Sequence, residues 1–208
     1  MVWPFFDLRI SSGEVLLRGV TDADLPRLVA ALPDDLELNP ANERFPALSP
    51  RDDRRRQLVA EIWKHRGTWS PESWCLDLAV ELDGRVVGVQ ALEAEQFPLL
   101  RTVDSFSWLS TEVRGRGLAI QMRAGVLALA FDHLGAEVAV SSARTDNAPS
   151  LAVSYGLGYV DNGLSRTNTP TGPFDLQHVR LTRDAWRQGG RTAEVSGVVA
   201  CLAWFGVG

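Results

Sequence analysis

Val103-Asp104-Ser105-Phe106-Ser107-Trp108-Leu109-Ser110-Thr111-Glu112-Val113-Arg114-Gly115-Arg116-Gly117-Leu118-Ala119 is the stretch on which the reading of this chain turns. Alternation over Thr102 to Leu109 predicts a strand. It sets Asp104, Phe106 and Trp108 on one face and Val103, Ser105, Ser107 and Leu109 on the other. Beyond the glycines, Met122, Val126, Leu129 and His133 fall at helical spacing. Leu127, Phe131 and Leu134 widen that stripe, so the helix lies against a sheet over much of its circumference. A strand therefore feeds a Gly-rich turn, and the turn opens a helix. Glycines let a backbone approach a bulky anion because no Cβ intervenes. The free N–H groups of a first helical turn point at such an anion, and the helix dipole favours its charge. Arg114 and Arg116 add positive charge, which makes this a candidate diphosphate site on physical grounds. It is not a Walker A loop, and Ile120 stands where a dinucleotide fingerprint needs its third glycine.

Working outward, Glu14 to Val20 reads as a first strand. Thr21-Asp22-Ala23-Asp24 offers N-cap oxygens to a helix through Leu25, Leu28, Val29 and Leu32. Residues 37–50 carry Pro40, Pro46 and Pro50 and read as an irregular loop. A second helix runs from about Asp52 to His65. Trp74 to Leu82 and Arg85 to Glu93 flank Asp83-Gly84, a strong hairpin signal. Val138 to Ser141 is a short buried strand, and Thr145-Asp146-Asn147 with Pro149 opens another helix that ends near Gly156 or Gly158. A late strand begins at Tyr159, a loop carries Thr169, Pro170, Gly172 and Pro173, and Leu176 to Leu181 forms the last strand. The order β-α-α-β-β-β-α-β-α-β-β is α+β with one mixed sheet, read as a single domain over residues 1–208.

Bulk properties narrow the function. At 208 residues the chain can bury a substantial core, and 45% apolar with 23% charged residues is a globular balance. Acids outnumber bases 26 to 21, so a nucleic acid is not the expected partner, because duplex binding needs a field of Lys and Arg. There is no secretory n-region and h-region, and the apolar tail within 189–208 is too short to span a bilayer. That tail is expected to pack on the domain or on a second subunit, a hint of a homodimer. Cys75 and Cys201 are too few for a disulfide framework and read as buried thiols in a reducing, cytoplasmic setting. His65, His133 and His178 are scattered without H-x-x-x-H or C-x-x-C spacing, so no metal is expected.

Arg114, Gly117 and Ala119 match the R/Q-x-x-G-x-G/A pattern of the GNAT superfamily. Further on, Asn147, Ser150, Gly158 and Tyr159 resemble its second motif, N-x-x-[SA]-x-x-x-x-x-x-x-G-[FY]. With both motifs in order and a helix between them, the chain resembles the RimJ/RimL-like branch of GNAT N-acyltransferases, most strongly over residues 14–182. The resemblance implies a mixed, mostly antiparallel sheet flanked by helices, and acetyl-CoA or another acyl-CoA as co-substrate. Coenzyme A would be held by Leu109, Ser110, Thr111, Arg114, Gly115, Arg116, Gly117, Leu118, Ala119, Asn147 and Ser150. It also implies a main-chain donor to the thioester oxygen near Leu109 to Thr111, and a pantetheine arm between this strand and the splayed Val138–Ser141 strand.

The expected chemistry is direct attack by a primary amine on the thioester, with no covalent enzyme intermediate. Asp104 beside Phe106 and Trp108 is the candidate base, with Glu95 as its rival and water relay as a third route. Many GNAT enzymes carry a Tyr seven residues after the motif Asn, where this chain has Ser154. Ser150 and Ser154 are an i, i+4 pair sharing a face with Asn147, so a serine is preferred to Tyr155 as partner of the leaving thiol, with packing and capping as the alternative role. Arg54, Arg55 and Arg56 read as a solvated helix face. One of them, or Arg101 or Arg144, is the candidate for a succinyl donor's carboxylate. Trp63, Trp69, Trp74 and Trp108 read mostly as core, with one or two lining an acceptor pocket between the early helices and the Asn162–Pro173 loop. A CoA-binding sensor or subunit without catalysis is the competing class.

Overall fold

The computed structural model describes residues 3–36, 43–169 and 172–207. Met1, Val2, Pro40, Pro170, Thr171 and Gly208, on which parts of the sequence reading fall, lie outside them. The described strands form one nine-stranded sheet. In chain order the elements are β1 (Arg9–Ser12), β2 (Val15–Gly19), α1 (Leu25–Ala31), α2 (Pro50–Gly67), β3 (Trp74–Leu82), β4 (Arg85–Ala94), α3 (Phe97–Leu100), β5 (Thr102–Leu109), α4 (Leu118–Ala128), β6 (Val138–Arg144), α5 (Ala148–Gly156), β7 (Val160–Thr169), β8 (Gly172–Thr182), α6 (Arg183–Gln188) and β9 (Glu194–Ser196). Across the sheet they run β7-β8-β6-β5-β4-β3-β2-β1-β9. Every pairing is antiparallel except β5 with β6. From β2 to β8 this is the order the sequence predicts, with α3 inserted as one extra turn. β1, α6 and β9 are additions, each too short for periodicity to betray.

Local chemistry explains the main elements. At the β3–β4 turn, Asp83 has φ 50° and Gly84 φ 76°, the double positive φ of a type I′ hairpin. The hydroxyl of Ser49 accepts from Asp52 N at 3.1 Å, Pro50 occupies the first turn, and Lys64, His65 and Arg66 fill the last, where the dipole favours cations. The helix faces of α1 and α2 bury Leu25, Leu28, Leu58 and Ile62 against Ala79, Val89 and Trp108 on one side of the sheet. On the other side α4 and the π-helical turn after it (Leu129–His133) bury Met122, Val126, Leu127 and Phe131. Trp63 departs from the expected core: it is 54% exposed and its indole donates to Asp22 Oδ1 at 3.3 Å.

The apolar tail packs on its own domain, which removes the sequence-based reason for expecting a dimer. β9 pairs with β1, and Cys201 and Phe205 are fully buried. Phe205 meets Phe5, Trp69 and Trp74 with ring centroids 4.7–5.5 Å apart, and Trp69 Nε1 donates to Trp204 O at 2.8 Å.

One irregularity positions the site. β5 and β6 pair only at Thr102↔Val138 and Val103↔Ala139. From Asp104 onward they diverge, β6 staying with β8 along its whole length. The sheet therefore opens into a wedge with Asp104 at its apex.

Candidate active site

The cradle lies at the mouth of the wedge. β5 ends at Leu109, Thr111–Val113 makes one 3-10 turn, and Gly115 and Gly117 follow with φ 78° and 77°. That left-handed backbone suits glycine, and no heavy atom lies within 4 Å of where a Cβ would project from either. Gly117 is the N-cap of α4 and brings no capping side chain. The first-turn amides of Leu118 and Ala119 therefore have no partner within the helix, and they share the open side of the turn with the two glycines. The arginine side chains are engaged elsewhere. Arg114 forks onto Asp35 at 2.6 and 2.9 Å and donates from Nε to Leu109 O at 3.1 Å. Arg116 lies 3.4 Å from Glu14 and stays partly exposed.

The inner edge of β5 supplies further donors. Ser110 N donates to Val87 O at 2.8 Å, so its amide, expected as a thioester donor, is taken, and its hydroxyl is buried without a partner. Antiparallel alternation from that bond turns the main-chain groups of Asp104, Phe106 and Trp108 toward β4 and those of Ser105, Ser107 and Leu109 toward the wedge. Ser105 N is held by Asp104 Oδ1 at 2.6 Å. The N–H groups of Ser107 and Leu109 thus face the space between the diverging strands. Burial pushes the Asp104 carboxyl up to about 6, with Glu93 raising it further and Arg123 and Ser105 N–H restraining it.

On the far side of the wedge, α5 presents Asn147, Ser150 and Ser154. Asn147 caps it, accepting from Ser150 N at 3.2 Å, so this motif residue secures the helix. Ser150 sits in the half-exposed first turn. Ser154 is 2% exposed and accepts from Arg123 Nη1 at 2.8 Å, joining α5 to α4. The Arg123 Nε, the Tyr159 hydroxyl and the Ser105 hydroxyl are buried without partners. Tyr155 points away, its hydroxyl donating to Asp161 at 2.8 Å.

Beneath α1 and α2 the opposite face of the sheet carries a cavity of about 790 Å³. Phe106, Trp108 and Phe174 form aromatic walls, and Arg44 and Arg54 lie on its lining. Thr167 and Asn168 reach it from the β7–β8 hairpin, in the region expected as a loop. Of the other candidate arginines, Arg55 pairs with Asp52 and Arg56 with Asp53, Arg144 with Asp146, and Arg101 bonds Leu134 O.

The cavity floor holds residues to which the sequence reading gave no role in the site: Glu61, Cys75, Asp77 and Glu93, with His65. Cys75 and Asp77 alternate onto one face of β3, and Cys75 stands opposite Glu93 on β4. Glu93 is in turn opposite Asp104. His65 Nδ1 lies 2.8 Å from Asp77 Oδ2. Burial alone would lower the His65 pKa, but Asp77, Glu61 and Glu93 lift it. Burial raises the Glu93 carboxyl, and Asp77 raises it further. Glu95, the expected rival base, lies outside this lining and exposed beyond the end of β4. The signal that could have found Glu93 is its even spacing from Val89 and Ala91 on the cavity face.

The match to known proteins follows this geometry. Residues 14–160 match the model of the acetyltransferase (GNAT) domain. Mycobacterium smegmatis RimJ in complex with a CoA disulfide superposes with TM-score 0.69 at 20% identity, covering 92% of this chain and 98% of that one. RimL, a ribosomal L7/L12 alpha-N-protein acetyltransferase in complex with coenzyme A, gives 0.62 at 17% identity, covering 84% and 97%. An acetyltransferase of the GNAT family from Bacillus anthracis gives 0.66 at 15% identity, covering 85% and 99%. At such identities the structures speak for a shared fold, while the domain model spans most of the chain, and the chain belongs to the GNAT acetyltransferase family.

Proposed function

We propose that this protein transfers an acetyl or other short acyl group from acyl-CoA to a primary amine by direct attack. The observation that carries the reading is the bare inner edge of β5. It runs from the glycine cradle to Asp104, where the wedge meets the cavity face of the sheet. The diphosphate of coenzyme A is assigned to the amides of Gly115 to Ala119, and the pantetheine arm to the bare edge. The thioester oxygen accepts from Ser107 or Leu109 N–H, fixed donors that do not have to reorganise as charge builds. The amine enters from the cavity. Its nitrogen bonds to the carbonyl carbon, the C–S bond breaks, and the nitrogen's proton passes to the Glu93–Asp104 carboxyl pair. Burial raises both members above their ordinary values, the direction a general base needs. Ser150, at the accessible start of α5, is the assigned proton donor to the leaving thiolate, in preference to the enclosed Ser154. Arg44 and Arg54 on the cavity lining favour a second donor, succinyl-CoA, whose free carboxylate they would pair.

The test measures thiol release from acetyl-CoA and succinyl-CoA with a panel of primary amines, alongside melting curves. Turnover with at least one amine is expected. CoA-dependent stabilisation without turnover on any amine would instead mark a binding subunit. No described helix is long and apolar enough to cross a membrane, and a cytoplasmic location is part of the proposal.

A further inference from the structure

We propose that His65, Cys75 and Asp77 form a binding site for a thiophilic divalent transition-metal ion, zinc foremost, on the floor of the cavity. One ligand atom from each lies within 4.8 Å of the others. A tetrahedral zinc ion holds sulfur, nitrogen and oxygen ligands roughly 3.3–3.6 Å apart, so small side-chain rotations close the set. The backbone already presents the three residues to one point. Cys75 and Asp77 share a face of β3, and α2 lays His65 across them with Nδ1 turned inward, 2.8 Å from Asp77 Oδ2. The outward nitrogen, Nε2, stands 4.0 Å from Glu61 Oε1, one helical turn away. A carboxylate beside the second ring nitrogen is the arrangement that fixes a metal-bound histidine: with Nδ1 on the ion the ring proton sits on Nε2, from which Glu61 can accept a hydrogen bond. Thiolate and carboxylate together neutralise a divalent charge. The fourth position opens to the cavity beside Glu93. Neither H-x-x-x-H nor C-x-x-C spacing announces this set, because its members come from a helix and a strand. Where the acyl-transfer reading holds, an ion here occupies the acceptor's side of the reaction and inhibits by competing with the amine.

The test titrates metal-stripped protein with cobalt(II) and then zinc. Stoichiometric binding is expected, with the intense visible bands of a four-coordinate ion and a near-ultraviolet thiolate-to-cobalt band. Cys75→Ser should abolish the near-ultraviolet band, and His65→Gln should weaken zinc binding tenfold or more, each checked for an intact melting transition. If one variant fails to fold, the other carries the test. A pale six-coordinate cobalt spectrum, or zinc binding unchanged in the folded variant, overturns the site. In turnover assays zinc should raise the KM for the amine and leave that for acyl-CoA unchanged. If no amine is acylated, the function falls and the cobalt spectrum still decides the metal site.

Discussion

Ser154→Ala separates two roles for the same hydroxyl. In the structure Ser154 accepts from the buried Arg123 guanidinium at 2.8 Å, and Arg123 Nε already lacks a partner. A hydrogen bond to a charged group contributes about 1.5–3 kcal/mol, and a buried cation left short of acceptors keeps its desolvation cost. In a domain of this size each kcal/mol moves the melting temperature by about 2–4 °C. The variant should therefore melt roughly 3–12 °C below wild type, with the drop persisting when coenzyme A is bound. Turnover per folded molecule should fall far less than in Ser150→Ala, whose own stability should stay within about 0.5 kcal/mol of wild type. Differential scanning calorimetry and thiol-release kinetics on the three proteins give the comparison. If Ser154→Ala melts with wild type yet loses a hundredfold in kcat, the serine works at the thioester and the packing argument is wrong.

Gly117→Val places a β-branched residue at φ 77°, which costs about 1–2 kcal/mol, and fills the open side of the cradle. Calorimetric titration should show coenzyme A bound at least tenfold more weakly, and undiminished affinity in a folded variant would remove the cradle from the site. Asp104→Asn tests burial: a carboxyl at about 6 when folded against 3.8 as the reference binds protons more readily in the native state. Wild-type stability from this group is therefore lost as pH rises from about 4 to 6, a penalty of up to about 3 kcal/mol above that window. Asn keeps the acceptor for Ser105 N, so urea denaturation should find the variant more stable at pH 7–8 and level with wild type near pH 4. Equal loss of stability at every pH would reverse the sign. Glu93→Gln should flatten the rising acid limb of the kcat/KM profile, and a profile identical to wild type would take Glu93 out of proton transfer.

The legible part of this molecule was the part written locally. The Asp83-Gly84 turn, the strand of alternating faces before Gly115 and the capped helix at Asn147 each depend on a few adjacent residues, and each lies where the pattern places it. The same holds for the order of elements from β2 to β8. What could not be read depends on approach through space. Ser154 shares a helix face with Ser150, and its bond from Arg123 on another helix shows only in three dimensions. The fork of Arg114 onto Asp35, from a distant loop, leaves no mark in the sequence around the glycines. The grouping of His65, Cys75, Asp77 and Glu93 needs the register of two strands and the lie of α2 over them. The apolar tail is ambiguous in one dimension, because a surface that fits Phe5 and Trp74 looks no different from one that fits another subunit.

The pairing of Arg9 with Ser196 has a bearing on how the protein is made. As the ribosome extrudes the chain, β1 can join β2 early, but its outer main-chain groups stay unsatisfied until nearly two hundred residues have followed. A stalled or clipped nascent chain would present a raw strand edge, with the indoles of Trp69 and Trp74 uncovered beside it. Such an intermediate is open to strand exchange with its neighbours on a polysome. β9 is in this sense a seal on the β1 edge, applied long after β1 itself has formed.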